Sequence, residues 1–166
     1  MKMRTGTAYK IIGLISLGAL MFTGCSGSSQ KAEFYTLNSI SSTQPGGRIA
    51  TAAQPVSIGI GPVTIPVVLD RPQIVTRTGP NKMQIDEFHR WAGRLDEDFA
   101  RVVAENISLM LPTEQVAVYP WDVNFEPHYQ VTLDIRHFEG RMGEHVFLEV
   151  FWKIIDPQKG ATLSVK

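Results

Sequence analysis

The sequence predicts an α/β (α+β) single domain, a mixed, mainly antiparallel sheet packed by one long amphipathic helix. Three observations carry this. Apolar residues at 85, 88, 91, 95, 99, 102, 103, 107 and 110 form a single stripe of 3.6-residue period. Several shorter runs alternate apolar and polar residues, among them Tyr129 to Phe138. Gly, Pro, Asn and Ser punctuate the intervals between them.

Taken in chain order, Phe34 to Leu37 (FYTL) has the aromatic and β-branched content of a short strand, followed by a polar loop from Asn38 to Pro55. Val56, Ile58 and Ile60 alternate with Ser57, Gly59 and Gly61, which predicts a half-buried strand resuming at Val63, Ile65 and Val67. Pro62 and Pro66 suggest an edge position or a bulge there. Leu69 to Arg77 turns through Arg71 and Pro72 into another strand, and Gly79-Pro80-Asn81 makes the next turn. The helix is expected from Ile85 to Met110, with Asp86 capping its start, Glu87 at the positive end of its dipole and Pro112 barring continuation. Its polar face sets Asp96, Glu97, Asp98 and Glu105 against Arg90, Arg94 and Arg101, with Arg94 and Asp98 in i,i+4 register. Val116 to Tyr119 is a short strand, and Tyr129 to Phe138 a longer one with a wet face. Glu139 to Gly143 supplies a hairpin turn into Val146 to Ile155, apolar enough to predict cover on both faces. Ala161 to Lys166 begins a last strand, and one helix leaves a sheet of this size short of cover on one face.

At 166 residues the chain is long enough for one domain with a real core. Lys2, Arg4 and Lys10 precede residue 25 and no acid does, which leaves thirteen basic against sixteen acidic residues in the remainder. That mildly acidic remainder has no excess of cations to displace counterions from phosphates, so nucleic-acid binding is not expected. A single Cys excludes an intramolecular disulfide and a multi-cysteine metal site.

The three basic residues lead into Ile11 to Phe22, which carries no charge, and then into Thr23 and Gly24. This is the build of a signal peptide, and the apolar run is too short to cross a bilayer. Cys25 follows at once, in a setting that resembles the lipobox of bacterial lipoproteins, with Phe22 where Leu is usual. Residues 1–24 are therefore expected to be removed, Cys25 to carry acyl chains, and residues 25–32 to tether a domain of residues 33–166. The alternative is an ordinary secretory signal followed by a free thiol. Ser26 stands where an Asp tends to retain a lipoprotein in the inner membrane, so the expected location is the outer membrane, facing the periplasm.

No residue pattern advertises catalysis. His89, His128, His137 and His145 lack metal-ligand spacing, no Ser lies in a G-x-S-x-G elbow, and Gly59 to Gly61 lacks the Lys and following helix of a phosphate loop. Neither a cofactor nor a metal is expected. Trp91 and Phe88 fall on the buried stripe and read as core. Arg71 and Arg90 read as ion-paired structural residues or as parts of a subunit interface. Tyr119-Pro120-Trp121, with Asp122 to Pro127, forms a loop whose aromatic tip either folds back on its own sheet or touches lipid or a neighbour.

Three stretches, Phe34-Tyr35-Thr36-Leu37 after the lipobox-like site, Leu69-Asp70-Arg71-Pro72-Gln73-Ile74-Val75-Thr76-Arg77, and Arg90-Trp91-Ala92, together resemble the ABC-type transport auxiliary lipoproteins. The resemblance implies a periplasmic domain, TolB N-terminal-like in its arrangement of sheet and helix, tethered to the outer membrane through its acyl chains. It also implies a homo-oligomeric ring working with an MCE-domain protein of the paraquat-inducible protein B type that bridges the envelope. The implied task is non-enzymatic: lipid transport and envelope integrity. Family members continue with another strand and a second long helix, which this sequence lacks, so a C-terminally shortened domain is expected. A lipoprotein supporting assembly of another outer-membrane machine is a second reading, and a periplasmic small-ligand carrier or enzyme a third.

Overall fold

The computed structural model describes residues 29–40, 56–111, 113–141 and 143–166. The chain divides into Met1–Lys31, of which 29–31 carry no regular secondary structure, and Ala32–Lys166, which holds every element named below. The expected signal peptide, Cys25 and the polar loop at 41–55 lie outside the described residues.

The strands are β1 (Glu33–Tyr35), β2 (Val56–Thr64), β3 (Gln73–Gly79), β4 (Lys82–Trp91), β5 (Thr113–Val118), β6 (Tyr129–Gly140), β7 (Val146–Asp156) and β8 (Ala161–Val165); the helix α1 spans Leu95–Met110. All eight strands form one mixed sheet. β2 lies between β5 and β6 and runs parallel to both. β6, β7 and β8 form an antiparallel meander, and the β6/β7 ladder is the longest in the sheet. β3 and β4 form an antiparallel hairpin, which β1 extends in parallel along β4.

β2 departs from the half-buried edge strand expected of it. Ser57 to Gly61 are buried on both faces, and the strand is interior. One face, Ile58 and Ile60, packs on Ala100 and Ala104 of α1. On the other, Gly59 is covered by the Trp121 ring, two atoms of which lie 2.8 and 2.9 Å from where a Cβ would stand. The small residues thus make room for a ring instead of facing water. The bulge expected at Pro62 is present, as a register shift between Ile60 and Val63.

The helix begins ten residues later than its apolar stripe. Residues 85 to 91 belong to β4, because the tight turn after β3 folds that segment back as a hairpin partner and β1 pairs along its far edge. Asp86 does not cap a helix. Its Oδ1 accepts the N–H groups of Phe88 and His89, both at 2.9 Å, and closes a bulge where the ladder steps from Val75–Ile85 to Gln73–Arg90. Phe88, expected in the core, is exposed. Arg94 occupies the N-cap with extended backbone and no side-chain cap, while Asp96, Glu97 and Asp98 fill the first turn and favour the positive end of the dipole. Leu95, Phe99, Ala100 and Ala104 are the helix's buried residues, and the two alanines permit close approach to β2.

Two apolar clusters result. Leu69, Val75, Leu95, Phe99 and Ile135 form one, joined by Trp91, Phe138 and Val150. Ile58, Ile60, Ala100 and Ala104 form the other. Apart from Val150 they leave much of β7 uncovered, a strand expected to be buried on both faces: Val146 is 68% exposed and Phe147 51%, with Leu148 and Phe151 exposed too. The helix α1, packed over β2 and β5, does not reach that far across the sheet.

Candidate functional site

The three stretches behind the family resemblance converge in space. Phe34 pairs with Arg90 and Tyr35 with Trp91 along β1 and β4. The N–H of Trp91 donates to the carbonyl of Pro72 at 2.7 Å, and that of Ala92 to the carbonyl of Tyr35 at 2.8 Å. Below this junction Trp91 stacks on Phe138, centroids 5.9 Å apart, and Phe138 meets the Phe99 ring edge-on at 5.1 Å. Trp91 is thus a core residue. Arg90 donates from Nε to the Glu87 carbonyl at 2.8 Å and pairs with the Glu87 carboxylate at 3.5 Å, fastening the β4 bulge. Arg71 sits on the turn that carries the buried Leu69, and its own buried Nε meets no hydrogen-bond partner among the described residues. Trp121 belongs elsewhere, on the face of β2 opposite Ile58 and Ile60, so the four candidate residues do not form one site.

Charge pairing holds the chain after β1 against the helix. Asp98 accepts the Leu37 N–H at 2.6 Å, and Arg101 donates to the Leu37 carbonyl at 2.6 Å and to Glu105 at 2.8 Å. The expected Arg94–Asp98 pair does not form, since Arg94 turns to Asp96 at 2.7 Å and Glu97 at 3.2 Å while Asp98 is taken by Leu37 and Arg101. At the other end of the sheet Arg77 pairs bidentately with Glu139, reaching Oε1 at 2.7 Å. The Arg77 guanidinium, ahead of the weaker contribution of His137, holds the Glu139 carboxyl down to about 2. The His89 imidazole lies against the Asp86 carboxylate, Nδ1 3.0 Å from Oδ1, and this pairing raises the imidazole pKa and lowers that of the carboxyl.

Two surfaces stand out. The first is the β7–β8 end of the sheet. β8 pairs with β7 from Trp152 to Asp156, and Trp152 exchanges both backbone bonds with Lys166. Along Val146 to Phe151 β7 therefore has β6 on one side and, among the described residues, no strand on the other. Alternation of antiparallel bonding from Trp152 directs the N–H and C=O groups of Val150, Leu148 and Val146 to that open edge. A trough of about 420 Å³ on the helix side, lined by Ile58, Ile107, Leu111, Val131, Ile154 and Leu163, continues the apolar area.

The second surface is a pocket of about 540 Å³ beside the loop from Tyr119 to His128. Ser57 and His128, 71 residues apart, meet there: Ser57 Oγ lies 2.6 Å from His128 Nδ1, and the Ser57 N–H donates to the same nitrogen at 3.1 Å. His128 returns its own N–H to Ser57 Oγ at 3.1 Å. The pair ties the start of β6 to β2, and Nδ1 is already engaged, so the arrangement reads as structural. Sequence inspection missed both the pair and the open β7 edge. No spacing rule links residues so far apart; the apolar run of β7 was visible and a sheet face short of cover was expected, but β7 itself was read as covered on both faces.

Among the described residues no group of three or more His, Cys, Asp or Glu side chains is placed to hold a metal, and no helix is long and apolar enough to cross a membrane.

A family model described as the ABC-type transport auxiliary lipoprotein component matches residues 35–166. The fold is shared with the crystal structure of protein XCC0632 from Xanthomonas campestris, of the DUF330 family, at a TM-score of 0.58 and 18% identity over 81% of this chain and 74% of that one. A crystal structure of an uncharacterised protein is similar at a TM-score of 0.62 and 18% identity, over 82% and 76% of the two chains. No curated protein matches. With the family model spanning most of the chain, including all three converging stretches but for Phe34, the chain belongs to the ABC-type transport auxiliary lipoprotein family.

Proposed function

We infer that the protein is a non-enzymatic accessory subunit of an MCE-type intermembrane lipid transport system, of the kind paraquat-inducible protein C resembles, that helps to maintain envelope integrity. In this reading acyl chains on Cys25 hold it to the outer membrane, and the domain faces the periplasm. Three acyl chains, at roughly 0.8 kcal/mol per buried CH₂, exceed what stable anchoring requires. The tether of residues 25–32 keeps the domain within about 28 Å of the bilayer surface.

The observation that carries the reading is the family match over residues 35–166. The open, apolar β7–β8 end supports it, because an auxiliary subunit acts by docking and this end combines, among the described residues, an open strand edge with a group of exposed large side chains. Neighbouring copies in a ring and an MCE-domain protein spanning the periplasm are the partners this surface serves.

The test is purification from native membranes with the intact-mass spectrum of the N-terminal peptide. Triacylated Cys25, recovered in the outer-membrane fraction together with an MCE-domain protein, is the expected result. An unmodified chain with no membrane or MCE association would overturn it.

A further inference from the structure

We propose that the pocket beside the Tyr119–His128 loop is a binding site for an uncharged sugar. The proposal is carried by the loop itself and does not depend on the docking role inferred above.

The loop is built as a fixed wall. At its start the Tyr119 N–H donates to the Ile60 carbonyl at 2.8 Å, and at its end the His128 N–H donates to the Ser57 carbonyl at 2.9 Å. In between, Trp121 lies on Gly59, and Phe125 packs against Trp121 with ring centroids 6.0 Å apart at 71°. The Phe125 N–H closes a turn on the Asp122 carbonyl at 2.9 Å, and Asp122 Oδ1 accepts from the backbone and side-chain nitrogens of Asn124 at 2.8 and 3.0 Å. A site anchored at both ends and wedged by two rings is organised before any ligand arrives.

Its lining fixes the ligand chemistry. Gln115, Asp122, Asn124, Glu126 and His128 supply the polar groups, and Phe125 an apolar flank. Ser57 engages His128 Nδ1, which leaves Nε2 as the ring nitrogen available to a ligand. Carboxylates accept only, amides do both, and an imidazole nitrogen donates or accepts according to the tautomer. A row of hydroxyls, each donor and acceptor at once, satisfies such a set, while a ring's C–H face suits the phenyl flank. Two carboxylates, with no Lys or Arg among the described lining residues, disfavour phosphates and other anions. The lining side chains are also not placed as a metal cluster. The volume of about 540 Å³ falls in the usual range of small-molecule sites, roughly 300–1,000 Å³.

The experiment is amide NMR titration of the full lipidated chain in a detergent without a sugar headgroup. The probes are glucose, galactose, N-acetylglucosamine and di-N-acetylchitobiose, with inorganic phosphate as comparison. The expected result is saturable shifts at Ser57, Gln115 and residues 122–128 at millimolar concentrations of at least one sugar. Glu126→Ala, an exposed position whose loss leaves the spectrum dispersed as in the native chain, is expected to weaken binding about tenfold. Absence of saturable shifts with every sugar would overturn the proposal. So would an equal response to phosphate, or undiminished binding in a Glu126→Ala, Gln115→Ala chain.

Discussion

Gly59 shows how much one side chain decides in this fold. A methyl group there meets the Trp121 ring at 2.8 and 2.9 Å and Pro127 at 3.2 Å, so the loop must lift. Gly59→Ala is expected to cost about 1–3 kcal/mol, as overpacking does. A lower melting temperature with a shifted tryptophan emission would register it, and an unchanged emission would show that the ring does not sit there. The Arg77–Glu139 pair is the matching electrostatic case. With the Glu139 carboxyl held down to about 2, its contribution is fully present above its ordinary value near 4.5 and is lost as pH falls from there through 2. Allowing for solvent screening, the contribution is ~1–2 kcal/mol. Glu139→Gln should therefore lower stability near neutral pH, with the difference from the native chain shrinking across that acid window. Parallel pH–stability curves for the two chains would contradict this. Arg71 differs from both, in that its buried Nε has no hydrogen-bond partner among the described residues.

Among the elements, β4 is the instructive one. Asp86→Ala should remove the acceptor that closes its bulge, accelerating amide exchange at Phe88 and His89 more than in the centre of the β6/β7 ladder. Uniform acceleration across the sheet would instead mean that the bulge is held by strand pairing alone. The apolar stripe puts a helix start at Ile85, and Asp86 suits it as a cap because an Asp preceding two N–H groups it can accept is the same local chemistry in a cap and in a bulge. Ile85, Phe88 and Trp91 have helical spacing, but only Trp91 reaches the core. Partners far along the chain, β1 and β3, decided the outcome, and periodicity carries no information about them. By contrast, α1 beyond Leu95, β6 and the hairpin into β7 were legible, since each is specified by local pattern and turn chemistry. The same limit applies to sites: Trp91 and Trp121 stood out by residue type, whereas Ser57 and His128 meet only because β2 and β6 pair.

On the scale of the whole molecule, among the described residues one helix serves eight strands, and the imbalance falls on β7 and β8. Exposed Val146, Phe147, Leu148 and Phe151, beside a strand edge with open bonding groups, form the kind of surface that proteins bury against something else. Leu148→Lys, at a position 47% exposed, should change stability by no more than about 0.5 kcal/mol and yet abolish recovery of the partner subunits. Loss of both stability and partners would mean that the residue supports the core instead. The most direct measurement is photo-crosslinking in the native membrane, with a photoreactive residue at Phe147 or at Leu163 and a control at Phe34. The account expects crosslinks from Phe147 and Leu163 to a neighbouring copy or an MCE-domain protein, and few from Phe34. Crosslinks concentrated at Phe34, with none from the β7–β8 end, would contradict it.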